Sequence, residues 1–123
     1  MTVEVYGTDE FTEWFEGLSV MQKKAVAHHI DMLEMAGLTL GYPQSSALHQ
    51  SHYPLRELRP KVAGHALRII YAFDPRRDAV VLIGGDKTGQ KRFYEMIIPK
   101  AEAIWRQYLA EHDAGLHDEE DRS

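Results

Sequence analysis

The clearest strand pattern in the chain is Ala66-Leu-Arg-Ile-Ile-Tyr-Ala-Phe-Asp74, in which the side chains alternate between two faces. One face carries the large apolar side chains of Leu67, Ile69, Tyr71 and Phe73. The other face carries Arg68 among apolar residues. A second apolar run, Ala79 to Gly84, follows a turn, Asp74 to Asp78, that has proline at its second position. Together the two runs predict a β-hairpin.

A third strand is predicted immediately before this hairpin. The segment Leu55 to Arg59 is short and ends at Pro60, and residues 61–65, which include Gly64, are typical of a turn. Loops this short join antiparallel strands, so the three strands are expected to form an antiparallel meander. Near the start of the chain, Thr2 to Tyr6 alternates like one further short strand.

Two helices are predicted between that first strand and the meander. Thr8 can cap the first helix, which ends or bends at Gly17. Its apolar face is formed by Phe11, Trp14, Phe15 and Leu18. Ser19 with Gln22 is a capping-box pattern for a second helix over Val20 to Ala36. Because the link between the helices is very short, they are expected to form a helical hairpin.

The remaining segments are less regular. Residues 38–54 are rich in Ser, Gly, Pro and His, so a connecting loop is predicted there. Gln90 to Ile97 is predicted to be a short helix, and Pro99 is placed at the first position of a separate final helix. The expected order is β-α-α-β-β-β-α. It describes an α+β fold with a small, mainly antiparallel sheet, an N-terminal helical hairpin and a C-terminal helix.

Length and composition limit the classes of protein to consider. A chain of 123 residues with 44% hydrophobic content is enough for one domain, expected over residues 1–110. Residues 111–123 form an acidic tail that is predicted to be flexible. The chain has no cysteine, no apolar run long enough to span a membrane and no signal-peptide pattern at its polar start. We therefore expect a cytoplasmic protein without a metal–thiolate site.

The charges are unevenly distributed along the chain. The net charge is −5, but residues 55–92 hold nine basic and four acidic side chains between acidic flanks. A phosphate backbone responds to such a local basic patch and not to the total charge. The basic block therefore suggests a nucleic-acid partner, although a solvated polar surface is an equally good explanation of charge alone.

Two other types of site are disfavoured. The segment Gly84 to Gly89 contains Lys-Thr after a strand, but it lacks the glycine spacing of a nucleotide-binding phosphate loop. The histidine pairs His28–His29 and His49–His52 have no evident third ligand for a metal ion. We expect these histidines to be ordinary polar side chains, and we predict neither a metal ion nor another cofactor.

Arg68 is the most informative charge because it lies inside an otherwise apolar strand. Such a charge must reach water, pair with a carboxylate such as Glu57 on the neighbouring strand, or bind an anion. If it binds a phosphodiester, the sheet could support metal-free RNA cleavage. That reaction needs a base for the 2′-hydroxyl, fixed cations at the phosphate and an acid for the leaving oxygen. Arginine suits the second role because its planar group contacts phosphate twice.

Three segments in order resemble a known family. They are Leu55-Arg-Glu-Leu-Arg-Pro60, then Ala66 to Asp74, then Val80-Val-Leu-Ile-Gly-Gly-Asp-Lys-Thr88, followed by Phe93-Tyr94 and a final helix. The pattern resembles the HigB-like branch of the RelE/ParE toxin superfamily, phage-derived relatives included. The resemblance implies ribosome-dependent mRNA cleavage to a 2′,3′-cyclic phosphate, and inhibition by a cognate antitoxin.

The resemblance also implies site residues. The family's catalytic positions fall on Arg59, Arg68, Lys87 and Tyr94. Further basic residues expected to bind RNA are Arg56, Lys61, Lys91 and Arg92. The general base is left open. The expected partners are an antitoxin, the ribosome and mRNA, without a membrane or a small-molecule cofactor. Two alternatives remain open: a non-enzymatic, ParE-like inhibitor of DNA gyrase, and a non-toxic, phage-derived binding module on the same fold.

Overall fold

A computed structural model describes the backbone of residues 2–122 and the side chains of residues 2–112. Its helices are α1 (Asp9–Glu16), α2 (Val20–Ala36) and α3 (Phe93–Arg122). Its strands are β1 (Val5–Gly7), β2 (Ser45–Ala47), β3 (Arg56–Leu58), β4 (Lys61–Val62), β5 (His65–Phe73) and β6 (Ala79–Asp86). The predicted flexible tail, residues 111–123, lies almost entirely outside the described side chains, so its flexibility stays a prediction.

The N-terminal helical hairpin has the caps that the sequence predicts. The Thr8 side chain accepts a hydrogen bond from the backbone N–H of Phe11, and α1 ends at Gly17. Ser19 and Gln22 form both hydrogen bonds of a capping box, so α2 begins at Val20. These caps satisfy backbone N–H groups that have no partner within the first helical turn.

The sheet confirms the predicted meander. The strand order is β1-β6-β5-β3-β2; β5 is antiparallel to β3 and β6, and β1 runs parallel to β6. β4 pairs with the start of β5 through a tight turn in which both Ala63 (φ 49°) and Gly64 (φ 81°) are left-handed. Because β4 and β5 form this hairpin, Lys61 lies next to Ala66 at one end of the sheet.

Several predictions of local structure are wrong. β1 covers Val5–Gly7 instead of Thr2 to Tyr6, and residues 61–65, predicted as a turn, include the short strand β4. Residues 38–54 are not wholly a loop, because they contain a 3₁₀ turn and the edge strand β2. The Ser-Ser-Ala sequence of β2 has no apolar period, and its strand conformation comes from backbone pairing with β3. Nor does a helix boundary fall at Pro99, which lies inside α3. The helix continues past the missing N–H because its inner face remains buried on both sides of the proline. That face consists of Phe93, Ile97, Ala101 and Trp105.

Helices cover both faces of the sheet and create two apolar cores. The helical hairpin packs on the face that carries Leu67, Ile69 and Tyr71. Helix α3 packs on the opposite face. Ile70 belongs to the core beneath α3, so alternation along β5 directs the side chain of Arg68 to that same face. Glu57 pairs with Ile70 across β3 and β5, and it therefore shares this face with Arg68.

Candidate RNA-cleavage site

Arg68 lies in an ion pair on the α3 face of the sheet. It is 3% exposed, and its Nε lies 3.6 Å from Oε1 of Glu57, which is also buried. Its Nη1 donates a 2.8 Å hydrogen bond to the carbonyl oxygen of Leu67. The sequence left three partners open for Arg68, namely water, a carboxylate or an anion, and in the structure it pairs with the carboxylate of Glu57. At 3.6 Å the contact is too long for a hydrogen bond, and within the described residues Nε has no hydrogen-bond partner.

Glu57 is the centre of a larger cluster. Its Oε1 accepts a 2.7 Å hydrogen bond from the hydroxyl of Tyr94, and its Oε2 accepts a 3.1 Å hydrogen bond from Nη1 of Arg59. One buried carboxylate therefore contacts two arginines and one tyrosine, which lie just after β3, on β5 and in the first turn of α3. Such a charge is tolerated in the interior only because opposite charges and hydrogen bonds surround it.

Tyr94 connects this carboxylate to Lys87. Burial raises the pKa of the Tyr94 hydroxyl, and the hydrogen bond to Glu57 raises it further, against an opposing effect of Arg68. The group is therefore a neutral phenol at physiological pH. Nζ of Lys87, just beyond β6, lies 5.3 Å from the centroid of the Tyr94 ring in a cation–π contact. We call Arg59, Arg68, Lys87 and Tyr94 together with Glu57 the basic cluster.

An open cleft adjoins the basic cluster. It has a volume of about 610 Å³ and is lined by the β4–β5 turn and by the cationic residues Lys61, Arg68 and Lys87. This volume lies within the range of about 300–1,000 Å³ that is usual for ligand sites. Three cationic side chains at one opening suit an anionic ligand such as a phosphodiester.

The rim of the cleft is held by a hydrogen-bond network. Nδ1 of His65 lies 2.5 Å from Oδ2 of Asp86, and Oδ1 of Asp86 accepts from the backbone N–H of Thr88. The Thr88 hydroxyl accepts from the backbone N–H of Ala66. Desolvation alone would raise the pKa of the Asp86 carboxyl, but its hydrogen bonds with Thr88 and His65 outweigh this and hold the pKa below its usual value. Within the Gly84 to Gly89 segment, Asp86 and Thr88 therefore hold the start of β5 against the end of β6.

The structure brings together most of the residues predicted from sequence. Arg59, Arg68, Lys87 and Tyr94 all belong to the basic cluster. Lys61 lines the cleft. Lys91 and Arg92 are exposed just before α3, and Arg92 lies 3.9 Å from Glu95.

Arg56 does not join this group. It pairs with Tyr71, whose side chain lies in the core under the helical hairpin, so Arg56 lies on the opposite face of the sheet. There its Nε donates to the Ser45 hydroxyl at 3.2 Å and to the Tyr71 hydroxyl at 3.3 Å. Its Nη2 donates to the carbonyl oxygen of Leu40 at 3.4 Å. These contacts hold the segment that leads into β2 against the sheet.

From the sequence, Glu57 is expected only as a possible partner for Arg68. Its position at the centre of the cluster becomes visible only in the structure. A signal was present, because Glu57 and Arg59 are two residues apart on one strand and therefore share a face. The contribution of Tyr94 could not be seen in the same way, because it depends on where α3 packs.

The described part of the chain contains neither a metal-binding cluster nor a helix that could span a membrane. Among residues 2–112, whose side chains are described, no group of three or more His, Cys, Asp or Glu side chains could hold a metal ion. No helix within residues 2–122 is both long and apolar enough to cross a membrane.

Comparison with known proteins identifies the family. A sequence profile for phage-derived Gp49-like proteins matches residues 13–106. The chain belongs to this Gp49-like family. It is 44% identical over 105 residues to the Mycobacterium tuberculosis protein named "Putative toxin HigB3", covering 83% of this chain and 90% of that protein. These matches confirm the predicted HigB-like resemblance.

Two other similarities are more distant. "Putative toxin HigB2" of Mycobacterium tuberculosis is 32% identical to this Gp49-like chain over 108 residues, which are 85% of this chain and 54% of that protein. This chain therefore spans about half the length of that relative. A solved structure of a mutant of the Escherichia coli toxin RelE in the free state covers 79% of this chain and 96% of its own, with 11% identity and a TM-score of 0.48.

Proposed function

We propose that this protein is the toxin of a toxin–antitoxin pair and that it cleaves mRNA on the ribosome without a metal ion. Its similarity to two proteins named as HigB toxins supports the toxin role. The observation that carries the proposed chemistry is the position of the basic cluster beside a cleft lined by three cationic residues.

In the proposed reaction, the 2′-hydroxyl of one nucleotide attacks the adjacent phosphorus. A new bond forms between O2′ and phosphorus while the bond from phosphorus to O5′ breaks, which leaves a 2′,3′-cyclic phosphate and a 5′-hydroxyl. One proton leaves the 2′-hydroxyl and another is added to the leaving oxygen, so the reaction needs both a base and an acid. Tyr94 and Lys87 are the proton-transferring groups that we assign to this site.

The arginines and lysines have an electrostatic role in this proposal. Negative charge accumulates on the phosphate oxygens in the transition state, and cations held in place beforehand stabilise it without reorganisation. Lys61 and Lys87 are accessible at the cleft and would contact the phosphate directly. Arg68 lines the same cleft but is buried, so it would act over a short distance from its fixed position next to Glu57.

The proposal includes three partners. The ribosome and its mRNA provide the substrate in the cytoplasm. A cognate antitoxin keeps the toxin inactive, and we place it over the cleft, where it would cover Lys61 and Lys87 and exclude RNA. An acidic antitoxin segment would match the charge of this surface.

The test is inducible expression followed by mapping of the 5′ ends of cellular mRNA. Lys87→Ala and Tyr94→Phe are the informative variants because both side chains are partly exposed. Lys24→Ala is the matched control, because it removes the same charge from an exposed position on α2, which packs on the other face of the sheet. We expect growth arrest with new cuts inside translated regions for the wild type and the control, and neither for the two site variants.

Two other outcomes would contradict the proposal. Arrest with a DNA-damage response and no new mRNA ends would indicate a ParE-like inhibitor of DNA gyrase. The buried pairing of Arg68 with Glu57 is the observation that favours such a non-enzymatic role, because it engages the arginine within the protein. Absence of arrest at full expression would indicate a binding module on a toxin fold.

A further inference from the structure

The basic cluster has an unexpected component for a site that binds phosphate, because a buried carboxylate lies at its centre. The side chain of Glu57 is 4% exposed and contacts Arg59, Arg68 and Tyr94. A negative charge at this position opposes the binding of another anion. Neutralising Arg68 requires no contact with Tyr94, yet Glu57 also accepts a hydrogen bond from the Tyr94 hydroxyl.

We propose that Glu57 is the proton acceptor of the cleavage reaction and that it receives the proton through the hydroxyl of Tyr94. This inference rests on the proposed function, and it assigns the general base, which the sequence leaves open. Tyr94 is the group that contacts the RNA, while Glu57 acts behind it.

The direction of the Tyr94 hydrogen bond supports this assignment. A phenol has a single proton, and that of Tyr94 is donated to Oε1 of Glu57 over 2.7 Å. The Tyr94 oxygen can therefore offer only its lone pairs to any additional partner. A 2′-hydroxyl bound against this oxygen would act as the donor, which is the arrangement that proton abstraction requires.

The protonation state of Tyr94 supports a relay in place of a free tyrosinate. Burial and the nearby carboxylate both raise the pKa of Tyr94, so little of it is deprotonated near neutral pH. In a relay the tyrosine oxygen gains the substrate proton as it loses its own to Glu57. The unfavourable tyrosinate does not have to accumulate.

Protons and electrons balance in the proposed steps. The proton of the 2′-hydroxyl moves to Oη of Tyr94 while the original Tyr94 proton moves to Oε1 of Glu57. O2′ bonds to phosphorus, and the electron pair of the breaking bond goes to O5′, which takes a proton from the ammonium group of Lys87. Glu57 ends protonated and Lys87 neutral, and exchange of protons with water restores both.

The charges around Glu57 couple its protonation to the negative charge that develops on the phosphate. The groups that face it are Arg59 just after β3, Arg68 on β5, Tyr94 on α3 and, across the tyrosine ring, Lys87 after β6. When Glu57 becomes neutral, the two arginines lose their internal counter-charge. Their positive charge is then available to the phosphate at the stage when its own negative charge is greatest, so they stabilise the transition state more than the bound substrate.

The test is single-turnover cleavage of mRNA on purified, programmed ribosomes. We expect Glu57→Gln and Tyr94→Phe each to slow cleavage about 100- to 10,000-fold. The double variant should be no slower than the slower single variant, since the two groups act as one unit.

Glu57→Asp separates the proposed role from a structural one. It keeps the charge but shortens the side chain, so it should recover part of the cleavage rate that Glu57→Gln loses. Thermal unfolding and ribosome binding are measured for every variant. If Glu57→Gln does not fold, Glu57→Asp combined with Tyr94→Phe decides the question. Once the tyrosine hydroxyl is removed, Glu57→Asp should cause no further loss of rate, and a further loss would overturn the relay.

The outcomes distinguish this inference from the proposed function. A folded Glu57→Gln protein that cleaves within about threefold of wild type, or a double variant much slower than either single variant, would overturn the relay alone. A wild-type protein that does not cleave mRNA on ribosomes would overturn the proposed function, and the relay with it.

Discussion

Replacing Arg68 with alanine should destabilise the fold as well as affect the site. The two side chains of the Arg68–Glu57 pair are 3% and 4% exposed. Removal of one partner from a buried ion pair typically costs about 3–5 kcal/mol, because the remaining charge stays buried without compensation. Glu57 would keep its hydrogen bonds from Arg59 and Tyr94, so we expect the lower end of this range, about 3 kcal/mol.

This loss is large compared with the total stability of about 5–15 kcal/mol that is usual for a single domain. In a domain of this size it corresponds to a decrease of about 10–15 °C in the midpoint of thermal unfolding. The assay is thermal and urea unfolding of the purified protein, followed by circular dichroism. The double variant Arg68→Met with Glu57→Gln is the matched control, because it removes both charges together and should recover most of the loss.

An Arg68→Ala protein that unfolds within about 2 °C of wild type would refute this reasoning, since one kcal/mol alone moves the midpoint by several degrees. Such a result would mean that water reaches the pair and that the two buried charges do not depend on each other. If the destabilisation is found, relief of growth arrest by Arg68→Ala cannot distinguish lost chemistry from lost folding. For this reason the cellular test of cleavage relies on Lys87 and Tyr94.

Three further predictions concern the framework of the site. Gly84→Ala should destabilise the fold by about 1–3 kcal/mol or more, because the added Cβ would lie 2.3 Å from the Trp14 ring; unchanged urea unfolding would contradict this contact. Ala63→Asn should stabilise the protein by about 0.5–1 kcal/mol, since Ala63 has a left-handed φ of 49° in a tight turn that favours asparagine; a lower unfolding midpoint would show that the turn has another conformation. Asp86 has a lowered pKa in the folded protein, so it contributes stability above its unfolded pKa and loses it as the pH falls through the folded one. Asp86→Asn should therefore flatten the acid side of a plot of stability against pH, and a variant with the wild-type acid dependence would exclude this contribution.

The basic cluster illustrates how much of a site can be inferred from the sequence. Alternation along β5 places Arg68 on the face opposite Tyr71, and alternation along the predicted strand Leu55 to Arg59 places Glu57 and Arg59 together. What alternation does not provide is the alignment of the two strands. The observed register pairs Glu57 with Ile70 and so brings the carboxylate to the same side as Arg68. Alternation along β3 itself turns Arg56 to the other face, away from the residues with which the sequence groups it.

Local sequence patterns determined those helix caps and turns whose hydrogen bonds form between residues close together in the chain. The caps at Thr8 and Ser19 and the turn at Gly64 involve groups that are close in the chain, so the sequence alone predicts where helices begin and strands reverse. The basic block and the HigB-like pattern are likewise properties of the linear sequence, so the family can be inferred from the order and spacing of residues alone.

Tertiary structure alone decided the remaining features, because they depend on partners that are distant in the chain. The edge strand β2 exists because β3 offers it a backbone to pair with, and α3 continues through Pro99 because its inner face is buried on the sheet. Glu57 receives the Tyr94 hydroxyl across 37 positions of sequence, an interaction that no local pattern encodes. The energies of these contacts depend on burial and distance, and both are defined only once the sheet and α3 have packed together.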